Sequence, residues 1–262
     1  MKKKRIFPVY IIVILVIIYI PILLVIIYSF NQNRLTSVWS GFSFYWYREL
    51  FRDRSMFEAL RNSLVLATLT SFLSAIIGTL GASAMVRRKP RAAGKTIEYL
   101  SILPIMTPEI ILGMVFLAFF TFLSIPTGMT TLVIAHTAFC VPYVYLLVKA
   151  RLAGLDKNYI EAAKIMGASD MRAFYDITLP LMLPAIISGM LISFAMSFDD
   201  VIISVFVAGV HTNTLPMKIY SQLKTGITPK TNAMCTLILF LRLYCALFPQ
   251  LSPERKIKPE KK

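Results

Sequence analysis

The chain has 262 residues, of which 57% are hydrophobic and 16% charged, with a mean hydropathy of +0.69. A soluble domain carries roughly 45–50% apolar and about 25% charged residues, so this composition excludes one and points to an integral membrane protein. Lys and Arg outnumber Asp and Glu by 28 to 13, but they lie in loops between apolar runs, which fits the positive-inside rule better than nucleic-acid binding.

Six apolar runs are expected to cross the bilayer: Phe7–Phe30, Ser63–Val86, Ser101–Leu123, Thr130–Val148, Ala185–Val207 and Ala233–Phe248. The first follows Lys2-Lys3-Lys4-Arg5 and resembles a signal peptide at its start. It is too long for a signal core and no small-residue cleavage site follows, so it reads as a retained span. The first connecting segment contains WSGFSFYWYRELF (Trp39–Phe51), an aromatic stretch suited to the outer interface.

Orientation follows from the loops. The N-terminal tail, the loop RRKPRAAGK (Arg87–Lys95), the segment Lys149–Pro184 and the tail after Phe248 carry four, five, five and five Lys or Arg. The alternate segments, Asn31–Asn62, Ser124–Met129 and Ala208–Asn232, carry five, none and three. The bias places both termini in the cytoplasm. The expected organisation is a six-span domain over 1–248, with a cytoplasmic loop at 149–184 and a basic, proline-containing cytoplasmic tail at 249–262.

Few motifs suggest chemistry. Gly94-Lys95-Thr96 lacks the glycine that a phosphate loop needs five residues earlier, where Lys89 stands, so nucleotide binding is rejected. His136 and His211 have no clustered partners in sequence and read as structural hydrogen-bonders. Cys140, Cys235 and Cys245 sit in apolar runs as small hydrophobes, without metal or redox spacing. No nucleophile, base and orienter assemble, so an enzyme is not expected, nor a cofactor or metal.

The long inner loop is more specific. In DKNYIEAAKIMGASDMRAFYDITLPLMLPAI (Asp156–Ile186), Asn158 and Glu161 are spaced as a capping box. Gly167 can end that first short helix with a positive φ. Ser169 or Asp170 can cap a second helix, which Leu179-Pro180 should end.

Three acids stand in the apolar runs. Glu109, in MTPEIILGM, follows Pro104 and Pro108, which should break or kink the third span. Asp199 and Asp200 lie near mid-depth of the fifth, in SFAMSFDDVIISVF. Buried charge is costly in lipid and usually functional, so a path for cations is expected, with Arg242 available as a partner. About 100° separates adjacent residues around a helix, so one aspartate can line the path while the other bonds a neighbouring helix. Spread-out carboxylates suit a long molecule with separated ammonium groups better than a metal ion, which prefers clustered oxygens. Tyr, Phe and Trp are available for cation–π contact with it.

The loop residues Glu161-Ala162-Ala163, Gly167, Ile177 and Leu179-Pro180 resemble the EAA loop of the membrane subunits of ABC importers. The resemblance implies docking on a separate ATPase subunit through these seven residues. SFNQNR, MTPEIILGM, SFAMSFDDVIISVFVAG and TLPMKIYSQLKTGITPKTNA extend the likeness to the spermidine/putrescine permeases, in particular their C component. That implies an all-α permease in the bacterial inner membrane. Its implied partners are a homologous permease, an ATPase dimer and an extracytoplasmic polyamine-binding protein. Glu109, Asp199 and Asp200 become plausible substrate contacts. The alternatives are an importer permease for another solute, a proton-coupled carrier or a cation channel, and an inactive membrane scaffold. One departure stands out: the sixth run is short, contains Arg242 and gives way to FPQLSPERKIKPEKK, which reads as an altered end of the reading frame.

Overall fold

The computed structural model describes residues 3–34, 38–87, 92–156, 158–210 and 212–251. His211, positions 88–91 of the second basic loop and most of the tail at 249–262 lie outside the described residues, as does the side chain of Cys245. Among the described residues the chain is helical, with a single isolated bridge between Asn31 and Phe42. It forms two compact units, Met1–Arg54 with Ser221–Lys262, and Ser55–Tyr220.

In the first unit, α1 (Lys3–Tyr28) is apolar on every face from Tyr10 onward, where most of its side chains are exposed, as a lipid-facing or partner-facing span must be. The aromatic stretch folds back beneath it. Phe30 stacks on Phe42 and meets Phe44 edge-on, and Ser29 bonds the Tyr47 hydroxyl at 2.8 Å. This leads into α2 (Tyr45–Arg52), a strongly amphipathic helix. Across from it, Lys230 of α12 (Pro229–Leu251), the helix that follows α11 (Leu215–Thr225) in the chain, bonds Asp53 at 2.6 Å. The sixth run is thus longer than expected: 23 helical residues start at Pro229, which is free to occupy a first helical turn. Arg242 is exposed on this helix.

The second unit is built around α6 (Met129–Ala153), which contributes to both of its apolar cores. The preceding α3 (Arg54–Arg87) packs closely on it. An added Cβ at Gly78 would lie 2.8 Å from Val144 Cβ, and one at Gly189 would lie 3.2 Å from the Val144 Cα. Val144 is therefore held between two glycines, one on α3 and one on α9 (Leu179–Asp199).

Two expected spans are interrupted. The third is a pair, α4 (Ala92–Met106) and α5 (Glu109–Phe122), bent by 115°. Pro108 lacks an N–H and drives Thr107 out of helical geometry, as its two flanking prolines suggested. Thr107 caps the first half by donating to the Leu103 carbonyl at 2.9 Å. The fifth span ends at Asp199 and resumes as a short helix, α10 (Ile202–Val207), so the continuous Ala185–Val207 crossing is corrected. Among the described residues four helices are long and apolar enough to cross a membrane, and five if the bent pair is one span.

The inner loop departs from expectation in two details. Asn158 lies inside α7 (Asn158–Ile165), and its N–H is taken at 3.0 Å by Asp156 rather than capped by its own side chain. Leu179-Pro180 does not end the second helix. After α8 (Asp170–Ala173), a wide turn at Phe174–Thr178 lets the chain run straight into α9. Within it the Leu179 N–H reaches back five residues to the Phe174 carbonyl, a register that accommodates Pro180 where an ordinary turn would clash.

α10 lies against α5 so closely that a Cβ on Gly113 would meet the Phe206 ring at 2.5 Å. Gly113→Val should therefore destabilise the unit by about 1–3 kcal/mol through overpacking. Gly128→Ala, at an extended position with nothing within 4 Å, should not. Thermal melting of the purified membrane complex checks both.

Candidate functional site

The interruption of the fifth span is closed by one carboxylate. Asp200 adopts an extended backbone, ψ 132°, so the N–H groups that open α10 have no helical partners. Its Oδ1 accepts from the Ile203 N–H at 3.2 Å, and Oδ2 accepts from the Ser204 N–H and hydroxyl, both at 2.8 Å. His136 Nε2 lies 3.3 Å from Oδ2. Four donors use the capacity of one carboxylate, and the side chain is almost fully buried.

His136 is itself fully buried on α6. Its Nδ1 is 2.9 Å from Ser197 Oγ and its Nε2 is 3.1 Å from Ser204 Oγ. The arrangement is self-consistent with the ring proton on Nε2: Ser197 donates to Nδ1, and Nε2–H faces Asp200 and Ser204. Ser197, His136 and Asp200 repeat the order of a hydrolytic triad. All three are buried, however, at 3%, 0% and 9% exposure, so no substrate carbonyl reaches the serine. The sequence offered His136 as a hydrogen-bonder but not its partners, which come from 61 to 68 residues away.

The three acids are not equivalent. Asp199 is exposed and ends α9, Asp200 is buried and starts α10, and Glu109 is half-buried in the first turn of α5. Glu109 and Asp200 are within electrostatic reach of one another. Two interrupted spans thus begin their second halves side by side, each with an acid at its positive end. Tyr143 of α6 feels Glu109 and joins the same neighbourhood.

At the other end of the second unit, the EAA segment forms a helical elbow. Gly167 has φ +86° and closes α7 with two bonds, from its own N–H to the Lys164 carbonyl and from Ala168 to Ala163. This double closure is the Schellman arrangement, which favours glycine at that position. Ser169 caps α8 by accepting from Arg172, and Lys164 pairs with Asp170 at 2.6 Å across the elbow. Glu161, Ala162, Gly167 and Pro180 are exposed, and Ala163, Ile177 and Leu179 are half-buried. Ile165 and Met166 are 87% and 88% exposed, unusual for apolar side chains on a polar loop. On α4, Glu98 pairs with Lys149 of α6, whose ammonium also lies over the Tyr145 ring.

These features, interrupted apolar helices with acids at the breaks and an exposed helical elbow, define a polytopic helical transporter subunit. The family described as "binding-protein-dependent transport system inner membrane component" matches residues 74–251, and the chain belongs to it. The match includes the described part of α12. A spermidine/putrescine transport system permease protein, PotC, of Haemophilus influenzae is 38% identical, covering 92% of this chain and 94% of that protein. The putrescine transport system permease protein PotI of Escherichia coli is 39% identical, covering 84% and 80%. Among solved structures, a bacterial ABC transporter involved in alginate import matches with a TM-score of 0.73 at 14% identity, over 97% of this chain and 99% of that one.

Because Asp200 closes the break, Asp200→Ala should cost about 2–3 kcal/mol by leaving buried donors without an acceptor. Asp199→Ala, at an exposed position, should shift stability by less than about 1 kcal/mol. Thermal melting of the detergent-solubilised complex separates the two.

Proposed function

We propose that the chain is a membrane permease subunit of an ATP-driven polyamine importer of the bacterial inner membrane. It crosses six times, with α12 as the sixth crossing and both termini cytoplasmic. Residues 1–248 form the permease domain, 149–184 the cytoplasmic coupling loop and 249–262 a cytoplasmic tail. A homologous permease would complete the path, two ATPase subunits would drive it, and an extracytoplasmic binding protein would deliver the substrate. The chain itself hydrolyses nothing. Relatives at 37–39% identity bear polyamine transport names, which supports the substrate class.

The observation that carries the reading is the exposed carboxylate of Asp199 at mid-span. Lipid cannot face such a group, so a polar lumen or a partner must. The break is also polarised. The last turn of α9 carries the partial negative charge of a helix C-terminus, and Asp199 adds to it. The positive start of α10 is already neutralised by Asp200. Asp199 is thus an acidic station for an ammonium group, with Glu109 as a second. Two weak stations suit passage better than one tight one. In this reading Asp199 and Glu109 face the polycation, and Asp200 belongs to the path by shaping it.

The EAA elbow supplies the coupling. Glu161, Ala162, Ala163, Gly167, Ile177, Leu179 and Pro180 would seat in the ATPase, with Ile165 and Met166 covered on docking. The wide turn at Phe174–Thr178 makes α8 and α9 one lever, so a push on the elbow reaches Asp199 at the far end of α9.

Uptake of labelled spermidine and putrescine into cells lacking their own importer, supplied with this chain and its companion subunits, tests the reading. Asp199→Asn and Glu109→Gln should each reduce uptake at least tenfold, the order of one charge-assisted contact, at normal membrane levels. Undiminished uptake by both variants would contradict the path, and uptake surviving ATP depletion would favour a carrier or channel instead.

A further inference from the structure

We propose that His136 is a positioning residue of the transport path: its ring joins both sides of the interrupted fifth span and so sets the direction of Asp199. The inference rests on the polyamine reading and deepens it. One imidazole meets α9 through Ser197, α10 through Ser204, and the link between them through Asp200. Asp199 lies between those anchored positions, two residues after Ser197 and five before Ser204. The end of α9 that carries Asp199 is therefore tied to α6 on both sides of the break.

The anchor is firm along the same face of α6. Cys140, one turn further, donates to the Ser193 carbonyl at 3.6 Å. Val144, two turns further, sits between Gly78 and Gly189. Residues four and eight apart share a helix face, so His136, Cys140 and Val144 form one seam against α9. The seam makes α6 the frame against which Asp199 is aimed. The spacing between Asp199 and Glu109, and with it the fit to amines of different spacing, depends on the histidine at its end.

A buried histidine that only fills space would tolerate any polar replacement that assembles. A positioning histidine that joins the two sides needs both ring nitrogens, Nδ1 at Ser197 and Nε2 at Ser204 and Asp200. Glutamine places an amide only at the Nε2 position and asparagine only at the Nδ1 position, so each variant keeps one side of the break and releases the other. The test is ATP-driven uptake of labelled spermidine and putrescine by the complete importer in proteoliposomes, with His136→Gln and with His136→Asn. The expected result is a KM raised roughly tenfold in both variants, the size of one lost hydrogen bond to a charged group, with kcat within about twofold of the unmutated importer. The ratio of the two polyamines' KM values should also change in both, with equal amounts of assembled complex. A normal KM or an unchanged KM ratio in either assembled variant overturns the inference, as does failure of both to assemble. No uptake by the unmutated importer removes the polyamine reading and this inference with it, and is recognised because the unmutated protein itself fails.

Discussion

A helix that stops inside a membrane exposes backbone groups that lipid cannot satisfy, and the fifth span of this protein stops at Asp199. The structure depends on the remedy. Asp200 turns its carboxylate onto the N–H groups of the next helix, and His136 closes over it from α6. The cost of burying the charge is offset by four donors and by the positive end of α10. Without this closure, α10 would have no reason to start where it does, and its packing on α5 through Gly113 and Phe206 would be lost.

The same closure separates the tasks of adjacent aspartates. Asp200 is consumed by the fold, which leaves Asp199 at the negative end of α9. The third span repeats the device with different parts. Proline makes the break, a threonine hydroxyl caps the first half, and Glu109 stands at the start of the second. Two breaks of opposite composition meet where α5 and α10 pack together. Movement need not deform either one if it enters through the elbow, because α8, the wide turn and α9 are continuous.

Much of this was legible from residue patterns. The first five apolar runs gave the four long apolar helices and the bent pair, Pro104 and Pro108 the third-span break, and Gly167 the turn at the elbow. Their signals are local: hydropathy, a missing N–H, a positive φ. The second break was not legible, because no proline or glycine marks it. Its cause is a side chain that caps the following helix while bonded to a histidine 64 positions earlier, a contact only the fold creates. Pro180 misled for a related reason. Proline ends an ordinary helix, but a five-residue turn register had already opened the space it needed. Likewise Asp156 outcompeted Asn158 for the first cap, and Pro229 started α12 earlier than the apolar run suggested.

The central claim is that the position of Asp199 faces an aqueous path while that of Asp200 is sealed within the fold. Thiol accessibility tests it directly. In the assembled importer with Cys140, Cys235 and Cys245 replaced, Asp199→Cys would be treated with a charged, membrane-impermeant thiol reagent. The account predicts rapid modification that spermidine slows, and no modification of Asp200→Cys under the same conditions. Modification of Asp199→Cys only by lipid-soluble reagents, unaffected by spermidine, would contradict it.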